Sequence, residues 1–459
     1  MSLFSLLSVA RDGLVAQSAG VSTVGQNIAN ANTPGYVRRG VTLATRPIGG
    51  ASMGGVEVVG TTRSFDRVSH RRVTEEHGRR GAADARAGTL ATVESIVTPG
   101  SGGVGPRVNS FFQSLDSWSG LAGDTSARLG VLQEAAGLAQ EISGAAADLD
   151  TMRGDLFAQA QGVAGEVSER LGRIAALNTA IAEATGRGES GADLRDQRDQ
   201  LVLEVGDRLG ARAVEDASGQ VTLFSAGTVL VEGGRASSVS VDLGPGGSLR
   251  VQAQPPGGQA TDVTAQVTQG TLGGLREARD VDIPRAQAGL DQFAFDLATA
   301  MNTAHASGFG LDGSTGRPLF TTTATATGAA RALALNPALD GHPERLAASA
   351  TTADLPGGNA IALRLAGMSS RPLGTGTATP AERFGSVAAD VGTRRAAADS
   401  EAALRADTVL QAENLHESSA GVSMDEEMVN LTRFQRAFEA STRVLRVADE
   451  LLDNLMKSI

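Results

Sequence analysis

Residues 423–459 read SMDEEMVNLTRFQRAFEASTRVLRVADELLDNLMKSI, and the spacing of their apolar residues decides the architecture. Leu431, Phe434, Phe438, Ser441, Leu445, Ala448, Leu452, Leu455 and Ile459 follow alternating steps of three and four, the a/d rhythm of a heptad seam. Ser423 and Glu426 spell S-x-x-E, a capping box that satisfies free amides at a helix start. The amino end carries the same rhythm in Leu3, Leu7, Ala10, Leu14, Gln17, Val21, Val24 and Ile28. Each terminus therefore reads as a heptad helix of about 30 residues, on the order of 45 Å long. A helix with one narrow seam is marginal alone in water, so these two are expected to pair with each other or with another chain. Two ordinary amphipathic helices docked on a globular body are the alternative, and such helices usually carry a wider apolar stripe.

Working inward, the first helix is expected to stop near Asn30. Asn32-Thr33-Pro34-Gly35-Tyr36 then places Pro at i+1 and Gly at i+2 of a type II turn. No proline occurs between Pro106 and Pro245, and Leu132, Leu138, Ile142, Leu149, Leu156, Val167, Ile174 and Ile181 keep helical phase. One or two long rods over 126–184 fit this pattern. Gly130, Gly137 and Gly144 recur every seven residues within it, either to let another backbone approach or as drift in a Gly/Ala-rich chain. Asp193-Leu194-Arg195-Asp196-Gln197-Arg198-Asp199-Gln200-Leu201-Val202 opens a further helix, with opposite charges three or four residues apart.

From 211 to 269 the texture changes to β-branched, alternating runs separated by Gly-rich turns, a small antiparallel β domain whose runs and turns read as self-contained. Helix returns around Leu290–Ala304, expected to start at Asp282 and Pro284. Residues 308–376 read as irregular, with one short strand at 331–335, and Phe384 to Ala412 mark a last long helix. The fold expected is mainly α with a small β insertion domain. Its segments are a terminal helix over 1–34, helical core over 35–210 and 271–421, the β domain over 211–270, and a terminal helix over 422–459.

Bulk composition narrows the chemistry. The net charge of −11 disfavours a nucleic-acid or anionic-membrane partner. The absence of cysteine removes disulfides, thiolate nucleophiles and cysteine zinc sites. No stretch approaches the ~18 apolar residues of a membrane span, and the amino end lacks the basic region of a secretory signal. Histidines 70, 77, 305, 342 and 416 fall in no ligand spacing, and no nucleophile elbow or phosphate-binding loop occurs. Arg63, Arg67, Arg71, Arg72, Arg79 and Arg80 make a basic stretch that reads as a solvated helix face or as salt bridges to the acidic remainder, rather than as a nucleic-acid site. Asp425, Glu426 and Glu427 sit in a first helical turn, where the helix dipole accounts for them. No catalytic site, cofactor or metal is expected.

Two end motifs are recognisable together. The stretch from Asn27 through Asn30, Asn32, Pro34 and Gly35 to Tyr36 resembles the amino-terminal signature of bacterial flagellar rod, hook and hook-associated proteins. Ser423 to Phe438 resembles their carboxy-terminal signature. Asp196, Gln197, Arg198 and Asp199, within 193–202, are similar to the D-x-R-D-Q-R-D-x-L pattern of the first hook–filament junction proteins. Thr271 to Leu275 and Gly308 to Gly313 follow that family's order. The resemblance implies a structural subunit between hook and filament that self-associates in a ring. It implies contacts with the hook protein and the second junction protein, type III export, and a cytoplasmic chaperone on the carboxy-terminal helix. A hook or distal-rod subunit is the first rival, and the helical interior argues against it. A secreted wall-active enzyme is the second, and the missing catalytic constellation argues against that.

Overall fold

Both chain ends are helical in the computed structural model, which describes residues 3–48, 51–216 and 218–457. Helix α1 covers Leu3–Ala29. Beyond it the Tyr36 N–H donates to the Thr33 carbonyl at 3.1 Å, and Gly35 takes a φ of 78°, the conformation that glycine at i+2 of a type II turn supplies. The chain then forms a hairpin of β1 (Arg39–Ile48) and β2 (Ala51–Arg63) that packs on α1. This hairpin corrects the helical assignment of 35–210. It also gives α1 a second partner where the seam implied one. Asp12 stands so close to Gly55 that a Cβ there would lie 2.5 Å from its carboxylate.

The body follows with α2 (Arg67–Val97), α3 (Val104–Ser119), α4 (Thr125–Gly186) and α5 (Ala192–Leu209). Asp66 and Asp124 cap α2 and α4 by accepting amide protons from Val68 and Ala127. The run over 126–184 is a single rod of 62 residues. Its periodic glycines do not admit another backbone: Gly130 and Gly144 face open space, and Gly137 meets only the Arg107 side chain. Close approach happens on α2 instead, where a Cβ on Gly81 would fall 2.2 Å from the Asp207 carbonyl.

Two antiparallel sheets occupy the β region. The first is β3 (Arg212–Glu215), β4 (Val221–Ser225), β5 (Thr228–Glu232) and β6 (Arg235–Ala236). The second is β7 (Ser238–Leu243), β8 (Leu249–Gln254) and β9 (Thr261–Asp262). They are not self-contained. Val221, Leu223, Val231 and Val251 join one hydrophobic core with Leu171 and Ile174 of α4. The buried Asn178 of α4 accepts from the Val221 N–H and donates to the Val221 and Gly233 carbonyls. These sheets and α5 together cover the second half of the rod.

Helix α6 (Gly270–Glu277), a π turn at Ala278–Asp282 and α7 (Ile283–Ala306) run on without interruption. Asp282 has helical φ and ψ and does not start a helix as expected. Its fully buried carboxylate instead takes Arg86 at 2.7 Å and Arg394 at 2.9 Å, tying α2 and the helix that carries Arg394 to α7.

The region read as irregular is short in regular structure but packed. Strand β10 (Phe320–Thr321) pairs with β11 (Ala334–Leu335) around α8 (Ala329–Ala332), and α9 covers Ala360–Ala366. The strand expected at 331–335 is therefore only its last two residues. Leu319, Phe320, Leu339 and Leu346 are fully buried. Arg128, also fully buried, donates to the Ala122, Pro343 and Leu346 carbonyls. His305 has Nδ1 2.7 Å from the Arg317 carbonyl and accepts from the Ala347 N–H at Nε2. Only a neutral imidazole meets both contacts, and burial pushes its pKa down to about 4 from 6.5. Between pH 6.5 and about 4 the unfolded chain therefore binds this proton and the folded chain does not, so stability falls as pH falls through this window. The loss expected from His305 is about 2 kcal/mol between pH 7 and pH 5. Chemical denaturation of wild type and His305→Gln across this range checks it; equal slopes would remove His305 as the cause.

Helix α10 (Pro380–Ala420) opens with a Thr379/Glu382 capping box and packs along α2. Helix α11 (Met424–Lys457) ends the described chain. The molecule is mainly α with a small antiparallel β insertion. Its main hydrophobic core runs from Val93 to Val391 and takes no residue from α1, the hairpin or α11. Among the described residues no helix is long and apolar enough to cross a membrane.

Candidate functional site: the terminal helix pair and its anchor

Helices α1 and α11 pair antiparallel. A Cβ on Gly13 would sit 3.2 Å from Ser441 Oγ, one on Gly20 would sit 2.5 Å from the Phe434 ring, and Asn27 bonds Glu427. Small residues set this geometry. Ala10, Ala16, Val24 and Ala448 are buried, whereas Leu7, Leu14, Val21, Ile28, Leu431, Phe434, Leu445 and Leu452 are half-buried. Gly13 and Gly20 lie on the contact face, where the Phe434 ring packs directly over Gly20. Phe438, expected in the seam, is instead 41% exposed. Ile459 lies outside the described residues, as do the side chains of Leu3 and Leu455.

At one end the pair is anchored by a buried polar hub. Asn27, fully buried, donates from Nδ2 to the Arg39 carbonyl at 2.8 Å and to Glu427 Oε2 at 2.9 Å. Its Oδ1 accepts from the Tyr36 hydroxyl at 2.8 Å and the Arg39 N–H at 3.0 Å. Every polar atom of the Asn27 side chain is thereby used. Arg38 approaches Glu427 with Nε at 2.9 Å and Nη2 at 2.8 Å, and takes Glu426 with Nη1 at 2.9 Å. Ser423 Oγ accepts the Glu426 N–H at 3.4 Å, its half of the capping box, while the Glu426 carboxylate goes to Arg38. Burial raises the Tyr36 pKa, so its hydroxyl stays a donor.

The hub connects directly to α5. Arg39 opens β1, Arg63 closes β2, and the two pair across the hairpin. Arg39 reaches Asp193 and Asp196, and Arg63 reaches Asp196 at 2.6 Å and Asp199 at 2.9 Å. Burial pushes the Asp196 pKa upward against the pull of Arg63 and Arg39. Arg198, 1% exposed, bonds Asp199 and the Gly219 carbonyl, extending the chain of charges to the first sheet. Gln200 packs against Gly35, whereas Gln197 points outward. Asn30 closes on the Gln26 carbonyl and accepts from Thr33, and Asn32 and Pro34 are exposed. Beside the hub, His70 packs on Phe65 and His416, with its pKa pushed down to about 4 by burial.

The structure thus brings together three motifs that lie far apart in sequence: the Asn27–Tyr36 turn, the Asp193–Gln200 segment and the start of α11. Arg38, Arg39 and the buried role of Glu427 escaped sequence reasoning, whereas Arg63, which lies in β2 and not on a helix face, makes salt bridges of the kind expected for the basic stretch. One signal was present: Glu427 falls on a seam position seven residues before Phe434, where a carboxylate must be paired. The arrangement is built to hold elements in fixed orientation. Among the described residues no group of three or more His, Asp or Glu could hold a metal ion.

Three family models match successive parts of the chain. The flagellar hook-associated protein FlgK helical domain matches residues 90–320, half of the chain. The flagella basal body rod protein family matches 7–36, and the flagellar basal body rod FlgEFG protein C-terminal family matches 416–458. Flagellar hook-associated protein 1 of Salmonella typhimurium is 28% identical over 69% of this chain, and the match spans 59% of the relative's own length. The proteins of that name from Escherichia coli (23%) and Bacillus subtilis (25%) align over 98% and 100% of this chain and 99% of theirs. The flagellar hook junction protein FlgK from Burkholderia pseudomallei shares the fold at a TM-score of 0.51, with 24% identity over 55% of this chain and 47% of that one. With the FlgK helical domain filling half its length between two rod-type ends, the chain belongs to the flagellar hook-associated protein FlgK family.

Proposed function

We propose that the chain is a non-enzymatic structural subunit of the bacterial flagellum, located at the junction of hook and filament. The observation that carries this is the terminal helix pair, which lies outside the main core and leaves much apolar surface uncovered. Val9 and Val15 on α1, and Met428, Val444, Val447 and Leu451 on α11, are each at least 40% exposed. Val444, Val447 and Leu451 recur at helical spacing along one face of α11, the pattern of an interaction surface, and copies of the chain arranged in a ring would cover it. The hook protein and the second junction protein adjoin that ring on its two sides. Before assembly the same face needs masking, which a cytoplasmic export chaperone on α11 provides, and the subunit leaves the cell through the flagellar type III apparatus. Cells lacking this protein are expected to retain hooks and to shed unattached flagellin into the medium. Electron microscopy of deleted and complemented cells checks this, and filaments still attached in the deletion strain would overturn the reading.

A further inference from the structure

The body passes into α11 at a joint where the last turns of α10 rest on α2. Helix α10 ends at Ala420, whose carbonyl accepts the Arg38 N–H at 3.1 Å, and Gly421 to Ser423 lead from there into α11. His77, Ser69 and His70 of α2 meet these last turns. His77 Nε2 lies 2.8 Å from Glu413, and beyond that point the contact is an aromatic cluster. His70 packs on the Phe65 ring at 5.1 Å and on the His416 ring at 5.7 Å, and Phe65 meets His416 edge-on at 6.2 Å.

The two imidazoles of this cluster differ in what a proton would meet. Burial disfavours the charged form of His416. There, however, Nδ1 stands 2.8 Å from Ser69 Oγ, which can pass its own hydrogen to the Asp66 carbonyl at 3.1 Å. The carboxylates of Asp66, Asp199 and Glu417 also oppose the charge of Arg63 around it. His70 has no such outlet. Its Nε2 is closed off from solvent without a partner, so an imidazolium, which carries a hydrogen on both ring nitrogens, would bury a bare charged donor. Arg63 from β2, Arg198 from α5 and His416 from α10 surround it with positive charge. Asp199 is the opposing carboxylate, and it is already engaged by Arg63 and Arg198.

We propose that His70 is a proton-operated latch at this joint: neutral, it lets α10 seat on α2 as far as Ala420, and protonated, it unseats α10 beyond Glu413 and frees the Arg38 amide. Glu413 stays in place, because a protonated His77 holds its carboxylate more tightly than a neutral one. Burial, with these neighbours, holds the His70 pKa down at about 4 from 6.5. Opening returns the imidazole to water and restores its ordinary affinity for a proton, so acid favours the open joint. Linkage makes opening about 20-fold more frequent at pH 5 than at pH 7. The latch is a property of the isolated chain and is independent of the junction role.

Hydrogen exchange on the full-length chain at pH 7 and pH 5, corrected for the intrinsic pH dependence of exchange, tests it. Protection at the Arg38 amide and across 414–420 is expected to fall about 20-fold in wild type. His70→Phe, which keeps an aromatic ring but takes no proton, should lose most of that pH dependence. His70→Leu should lose it as well, which separates the proton from ring packing and provides a second variant if the first fails to melt cooperatively. Protection in wild type that is flat between the two pH values would overturn the latch. An equal fall in wild type and in both variants would assign the response to other groups, His416 or Asp196 among them, and would overturn it too.

Discussion

Leu445→Asp combined with Leu452→Asp is expected to abolish filament attachment and chaperone binding while leaving the body of the protein folded. Both leucines are half-buried against α1, and neither belongs to the main hydrophobic core. Complete burial of a leucine contributes about 1.5–3 kcal/mol. Each substitution forfeits part of that and also places a carboxylate against apolar surface. The pair should lose on the order of 4 kcal/mol, enough to separate two helices held by one narrow contact. The same face is proposed to serve the chaperone before export and neighbouring copies afterwards, so both functions fall together. Calorimetry measures chaperone binding, electron microscopy scores attached filaments, and circular dichroism follows melting of the body. A variant that binds chaperone and keeps its filaments would show that the seam is not the interface. Early melting of the body would show that α11 belongs to it.

How much of this was legible in the sequence depended on how local each cause is. Leu431 to Leu452 and Leu7 to Ile28 announce helices because a heptad period needs no knowledge of the partner. Pro34-Gly35 announces its turn because φ at Gly35 is set by the turn itself. The 62-residue α4 was visible for the same reason, as an unbroken phase without proline. The hairpin at 39–63 was missed although Val41-Thr42-Leu43 and Val56-Glu57-Val58 alternate. Its strands carry glycines at 40, 54, 55 and 60 and a proline at 47, and it lies between two stronger helical signals. Period alone puts Phe438 in the seam, but it is Phe434 whose ring packs over Gly20 of the opposite helix, a pairing that period does not reveal. The β region was mistaken for a separate body because sequence does not show that Asn178 of α4 completes its hydrogen bonds. The hub was out of reach for a different reason. Arg38 and Glu427 are 389 residues apart, and only the fold brings them together.

Replacing Glu427 with alanine should loosen α11 from α1 without unfolding the body. Its side chain is 2% exposed and satisfies Asn27 together with two guanidinium nitrogens of Arg38. Removing one partner of a fully buried ion pair costs about 3–5 kcal/mol. Arg38 is 28% exposed and keeps Glu426, so a loss of about 3 kcal/mol is expected here. Glu427→Gln should lose less, because an amide oxygen still accepts from Asn27 while the charge facing Arg38 disappears. Hydrogen exchange would report the difference as faster exchange across α1 and α11, with α4 and α7 unchanged. Limited proteolysis should trim Glu427→Ala to a fragment of about residues 35–420 sooner than wild type. Unchanged exchange in the terminal helices would mean the seam alone holds them, with the hub contributing only orientation. Faster exchange reaching α4 would mean the charges from Arg39 through Asp196 to Arg198 couple the two bodies into one cooperative unit. In that case Arg63→Ala, which breaks the same chain at its α5 end, should reproduce the effect.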